Sequence, residues 1–163
     1  RARRSSGSRL QLDRSRQLTA SSSALADSPK DAPHAEARLR DLELQKMILL
    51  SDGGTIGADE VAERLGVTRQ SVNKRRQAGL LLALPIGSRR YVYPVWQFGT
   101  ERVLSGFEDV LAELLVVDPW PQAAFFLGRN TYLDGERPLD EIRRGNVEKA
   151  QRAAWAMGKH GAA

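Results

Sequence analysis

Thr55-Ile-Gly-Ala-Asp-Glu-Val-Ala-Glu-Arg-Leu-Gly-Val-Thr-Arg-Gln-Ser-Val-Asn-Lys-Arg-Arg-Gln-Ala-Gly79 decides the fold, because it reads as two short helices broken by a tight turn. Val61, Ala62 and Leu65 share one face of the first helix, and Asp59 and Glu60 suit its positive N-terminal end. Gly66 supplies the turn, since a residue without Cβ takes the left-handed conformation that a helix exit needs. Thr68 is placed to cap the second helix by accepting a hydrogen bond from a backbone N–H near Ser71. Val72 anchors that helix inward and Gly79 closes it. Arg69, Gln70, Asn73, Lys74 and Gln77 are left pointing outward, with Arg76 beside them. Side chains of these types reach guanine, adenine and phosphate oxygens when a helix lies in a major groove.

Beyond Gly79, the segments Leu80 to Ile86 and Tyr91 to Pro94 flank Gly87-Ser88-Arg89-Arg90, which predicts a β-hairpin with Arg89 and Arg90 at its tip. Tips of this kind lie along phosphates or dip into a minor groove. From Arg64 to Thr100 there is no Asp or Glu, although Arg64, Arg69, Lys74, Arg75, Arg76, Arg89 and Arg90 all fall there. The formal net charge of +5 is built from blocks of opposite sign. Residues 1 to 40 hold nine Lys/Arg against four Asp/Glu, and residues 55 to 98 hold seven against three. Residues 41 to 54 hold one against three, and residues 99 to 163 hold eight against ten. Basic charge focused in this way raises affinity for a polyanion, so double-stranded DNA is the first expected partner. A single arginine would be most simply a solvated surface charge; the helix-turn-helix spacing, the hairpin and the missing acids argue together.

The run Ala62-Glu-Arg-Leu-Gly-Val-Thr-Arg69, through Gly79-Leu80 to Tyr91-Val-Tyr-Pro94, resembles the excisionase-like and MerR-like winged helix-turn-helix domains. Where many members have a bulky apolar or aromatic residue in the middle of the recognition helix, this chain has Arg75 and Arg76. One of them is therefore expected to pack by its stem.

Outside this module the signals are coarser. Residues 1 to 34 combine Arg with the Ser-rich runs Ser5 to Ser8 and Ser21 to Ser23, and are expected to form a disordered basic tail, either a passive leader or an arm on phosphates. Ala35 to Leu50 reads as a helix with Leu39, Leu42, Met47, Ile48 and Leu49 at spacings near three and four, available for the core or for a dimer. Residues 35 to 98 thus make the winged unit and residues 99 to 163 a second, helical unit, giving a mainly α fold with a small β-hairpin. With no cysteine and only His34 and His160, no disulfide framework and no metal site is expected. The longest apolar run, Leu80 to Ile86, is far too short to cross a bilayer, so a cytoplasmic, nucleoid-associated protein without a membrane partner is expected. No Gly-rich phosphate loop and no Ser/His/Asp or Cys/His order is present, so neither catalysis nor a cofactor is expected.

In the second unit, Phe107, Val110, Leu111, Leu114 and Leu115 describe an amphipathic helix stopped by Asp118-Pro119. Pro119-Trp120-Pro121 reads as a rigid connector with Trp120 as a buried hinge, followed by a short helix from Ala123 to Leu127. Pro138 starts another helix, broken by Gly145, and Asn146 opens the last one, which carries Trp155 and Met157. The piece Ala123 to Gly145 is similar to the toxin-binding domain of the Xre/MbcA/ParS antitoxin family. Phe126-Leu127, Asn130, Leu133, Gly135, Pro138-Leu139, Ile142 and Gly145 carry the likeness. Membership would imply a homodimer that represses its own operon and neutralises a RES-domain toxin, its C-terminal residues obstructing the toxin's cleft. Asn130, Trp155, Met157 and Lys159 are expected to face a partner, Trp155 and Met157 because they leave apolar area on an alanine-rich helix, with Trp155 packed on its own domain as the alternative. Most members carry a helical rather than a winged DNA-binding domain. A solitary regulator, or an excisionase-type or nucleoid-type architectural protein, is the alternative.

Overall fold

In the computed structural model, residues 32–114 and 118–160 are described; the expected tail up to residue 31, and Leu115 of the expected amphipathic helix, lie outside them. The fold is mainly α with a small antiparallel sheet. The chain divides into two units, residues 1–40 and 41–163, at a point inside helix α1 (Ala32–Leu50). In the first unit, Arg40 pairs with Glu36 one turn earlier at 3.3 Å, and Leu39 is exposed. The helix begins a few residues before the expected Ala35, with Pro33 in its first turn, where a missing N–H leaves no bond unmade. In the second unit, Ile48 is buried and Leu49 packs partly against the core, whereas Leu42 and Met47 stay exposed. The apolar spacing of this helix therefore serves the core only at its last turn.

The winged module follows. Strand β1 (Thr55–Ile56) leads into α2 (Ala58–Leu65), and α3 (Arg69–Gln77) leads into β2 (Leu84–Ile86) and β3 (Arg90–Pro94). The sheet order is β1-β3-β2, both pairings antiparallel, with Ile56 opposite Tyr93 and Pro85 opposite Tyr91. The hairpin is legible in the sequence, but the short third strand is not. Val61, Ala62, Val72, Leu81, Ala83, Tyr93 and Phe98 form the core under the two helices.

Helices α4 (Phe107–Glu113), α5 (Pro119–Leu127), α6 (Pro138–Arg143) and α7 (Val147–His160) complete the chain. Pro119-Trp120-Pro121, expected to be a connector, is instead the first turn of α5. Asp118 caps that turn by accepting from the Trp120 N–H at 3.1 Å, and prolines are tolerated there because first-turn N–H groups have no intrahelical partner. Trp120 is half-buried and lies at the core's edge. Phe107 and Phe126 sit 4.6 Å apart between ring centroids, and Trp96 of the winged module completes the triangle at 5.9 and 5.6 Å. Residues on both sides of position 98 thus belong to one apolar cluster. The run after Gly79 alternates between the two cores: Leu81 and Ala83 face one, Leu82 and Leu84 the other. That alternation is why the run is continuously apolar.

Two polar features fasten these parts. Gln97 is fully buried; its Oε1 accepts from the Leu82 N–H at 3.0 Å and its Nε2 donates to the Leu82 carbonyl at 2.9 Å. The amide thereby replaces a strand neighbour that Leu82 lacks. Asp52, at the turn after α1, accepts from Arg137 at 2.8 Å and from Arg143 at 3.1 Å, while Arg137 also donates to Asp140 at 2.7 Å. Burial acts to raise the Asp52 pKa, but the hydrogen bonds from Arg137 and Arg143 outweigh it and hold the carboxyl below its ordinary value. Arg137 lowers Asp140 in the same way. Carboxylates with depressed folded pKa values stabilise the fold above their unfolded pKa of about 4, and this stabilisation is lost as pH falls through the folded value. Asp52→Asn is therefore expected to cost about 1 kcal/mol at neutral pH, a partly screened pair being worth little more. The variant should also lose less of its remaining stability than the parent between pH 4 and pH 2, as measured by urea denaturation at each pH. Equal acid sensitivity would show that the clamp contributes nothing.

Candidate nucleic-acid interface

Local chemistry positions α3. Gly66, in the left-handed conformation at φ 62°, ends α2 by donating its N–H back to Glu63 at 3.2 Å, which lets the chain turn within three residues. Thr68 Oγ1 accepts from the Ser71 N–H at 3.2 Å, as its position in the sequence predicts. Val72 is completely buried and fixes the rotation of the helix about its axis. Arg69, Gln70, Asn73, Lys74 and Gln77 are consequently all exposed. At 100° per residue they occupy a single arc, and that arc carries no acid. The structure thus brings together five of the six helix residues that the sequence nominates.

The sixth stands apart. Arg76 is half-buried, its guanidinium carbon lies 4.1 Å from the centre of the Tyr91 ring, and its Nε is cut off from solvent without an acceptor. It packs by its stem and face, the role expected of one of Arg75 and Arg76. The contact also sets the C-terminal end of α3 against β3, so helix and wing are neighbours. Arg89 and Arg90 at the hairpin tip are exposed, Arg90 opposite Ile86 in the ladder and Arg89 in the preceding turn. Arg64, at the end of α2, lies 5.9 Å from the centre of the Phe98 ring.

Among the described residues, one carboxylate approaches this face. Asp59, in the first turn of α2, takes both of its contacts from Arg69 Nη1, at 3.2 and 3.0 Å. Both side chains are well exposed, so the pair holds Arg69 weakly and leaves Nε and Nη2 able to donate elsewhere. In the sequence Asp59 reads only as helix-end charge; its meeting with Arg69 depends on the angle between α2 and α3.

In the C-terminal half the four partner candidates divide into two places. Asn130 and Met157 line a groove of about 560 Å³ with Trp120 and Phe125. Asn130 also has a local duty, its Oδ1 accepting from the Tyr132 N–H at 2.9 Å. Trp155, two residues from Met157 and so on the other side of α7, is 49% exposed, with Lys159 Nζ lying 4.0 Å from the centre of its ring. Among the described residues no cluster of His, Cys, Asp or Glu is arranged to hold a metal ion, and no helix is long and apolar enough to cross a membrane.

The chain is similar in fold to Rv2175c, a structure solved by NMR. The match has a TM-score of 0.54 at 24% identity, and covers 66% of this chain and 83% of that one. At that identity the likeness concerns the fold alone. No family model and no curated protein matches the chain.

Proposed function

We propose that the chain is a DNA-binding transcription regulator, with α3 lying in the major groove and the Arg89-Arg90 tip resting on the adjacent backbone. The observation that carries this reading is the acid-free exposed arc of Arg69, Gln70, Asn73, Lys74 and Gln77 on a helix that is capped, anchored by buried Val72 and flanked by a basic wing. Amide side chains among the cations suit base edges, whereas a merely solvated helix face would mix both signs. A regulator of this size gains affinity and selectivity by pairing on two half-sites, so we expect a homodimer on DNA, associated with the nucleoid.

A selection from a randomised duplex pool with the full chain tests the reading. The expected outcome is enrichment of one motif, bound at least 10³-fold more tightly than unrelated duplex at about 150 mM salt. Recovery of an unenriched pool would sink it.

The half-exposed Trp155 favours a second reading on top of the first, in which the C-terminal half engages a partner protein such as a RES-domain toxin. Co-purification of such a toxin with the parent but not with Trp155→Ala would support an antitoxin role. A toxin retained equally by both would remove Trp155 from the interface.

A further inference from the structure

The groove between the end of α3, the base of the wing and helices α4 and α5 contains a charge without a counter-charge. It has a volume of about 590 Å³ and is walled by Leu80, Leu81, Pro85, Leu111 and Leu114. Among the described residues, Arg76 is the one charged side chain lining it. No carboxylate lies within ion-pairing distance of that guanidinium among the described residues, and its Nε has no acceptor. On the same face of β3, two residues from Tyr91, the Tyr93 hydroxyl is buried next to that guanidinium. Burial pushes its pKa up, while the charge of nearby Arg76 and a side-chain hydrogen bond with it oppose that rise, so the hydroxyl and the guanidinium lie side by side. Unpaired polar groups of this kind are rare in folded chains because each one costs free energy, and a half-buried guanidinium ordinarily has an anion beside it. At the mouth of the groove, Leu80 and Tyr91 are exposed at 40% and 42%, so apolar surface lies open next to the unpaired cation.

We propose that this groove binds a small amphipathic carboxylate, its anionic head paired with Arg76 and its hydrocarbon part lying along Leu80, Leu81 and Leu111. Both halves of the ligand are needed. A simple inorganic anion, or a nucleic-acid phosphate, would satisfy the guanidinium but leave the leucine wall uncovered, while an uncharged hydrocarbon would cover the wall and bury the cation further. Among the described residues no acid lines the groove, so none of them repels the head group. A groove of this volume holds a ligand of eight to ten carbons comfortably, within the range of about 300–1,000 Å³ usual for small-ligand sites. The site stands independently of the DNA reading, since it is defined without nucleic acid.

Thermal unfolding of the full chain with increasing octanoate tests it, with octan-1-ol and acetate as probes of each half. Octanoate should raise Tm saturably, by about 3–8 °C for a dissociation constant near 1 mM and ligand at ten to thirty times that value. Octan-1-ol and acetate should each give less than half of that shift. Arg76→Gln should abolish the response. Leu80→Asp should abolish it as well, by supplying the groove with its own carboxylate, and because Leu80 is partly exposed that variant stays folded if Arg76→Gln does not. An octan-1-ol shift equal to that of octanoate would reduce the groove to a hydrophobic surface. An equal acetate shift would reduce it to a general anion site. An undiminished octanoate response in Leu80→Asp would overturn the location.

Discussion

Gly106→Ala is expected to destabilise the protein by about 3 kcal/mol, lowering Tm by roughly 10 °C. Two physical terms add. Gly106 sits at φ +81°, the left-handed region, where an L side chain costs about 1 kcal/mol or more. A Cβ built there would also meet the side chain of Val147, coming within 2.6 Å of Cγ1 and closer still to Cγ2. Forcing a methyl group into a packed site of this kind costs about 1–3 kcal/mol. The two terms separate in a double-mutant cycle, because Val147→Ala empties the space that the new methyl needs. In that background Gly106→Ala should cost only about 1 kcal/mol, giving a coupling of about 2 kcal/mol between the sites. Gly145→Ala is the internal control: Gly145 has φ +87° with nothing within 4 Å of the position of an added Cβ, so only the backbone term applies there. Denaturant unfolding of the four variants measures all of this, and equal costs at Gly106 and Gly145 would refute the close packing of α4 on α7.

Neither Gly106 nor Val147 stands out in the sequence, because their meeting is a long-range event. The winged module is legible because its signals are local: Gly66 and Thr68 act on bonds within three residues of themselves, and Val61, Ala62, Leu65 and Val72 follow helical spacing. Gly106 against Val147, Asp52 against Arg137 and Arg143, and Gln97 against Leu82 pair distant positions that no spacing encodes. Gln97 in particular looks like any surface amide, and its burial makes sense only once the backbone of Leu82 is seen to need a partner. Helix α1 misleads in the opposite direction: spacings of three and four identify a helix, but Leu42 and Met47 show that they do not say which face meets the core. Trp96 shows the same limit at larger scale, since nothing in its neighbourhood announces that it packs on Phe107 and Phe126. For the candidate site, the order of outward residues on α3 is readable, while the withdrawal of Arg76 onto Tyr91 and the approach of Asp59 to Arg69 are not.

Replacing Arg69 and Lys74 together by alanine is expected to lower affinity for the selected duplex by at least about 30-fold. A good base contact is worth about 1–3 kcal/mol, and every 1.4 kcal/mol is tenfold. The Asp59 pair occupies only Nη1 of Arg69, and where a base contact needs that nitrogen too the pair opens at a cost of at most about 1 kcal/mol, which a good base contact outweighs. The loss should therefore be large on the selected sequence and much smaller on unrelated duplex, because base contacts carry the discrimination. Arg89→Ala with Arg90→Ala should behave in the opposite way. Tip residues that touch only phosphates contribute equally on every sequence, so affinity should fall uniformly, and the slope of log affinity against log salt should become shallower by about 0.9 for each phosphate released. Fluorescence anisotropy with both duplexes between about 50 and 200 mM salt separates the two patterns. If the helix pair changes the salt slope and leaves discrimination intact, α3 lies along the backbone and the wing reads the bases. If neither pair weakens binding, the interface is elsewhere on the molecule and the exposed basic arc of α3 is a solvated surface.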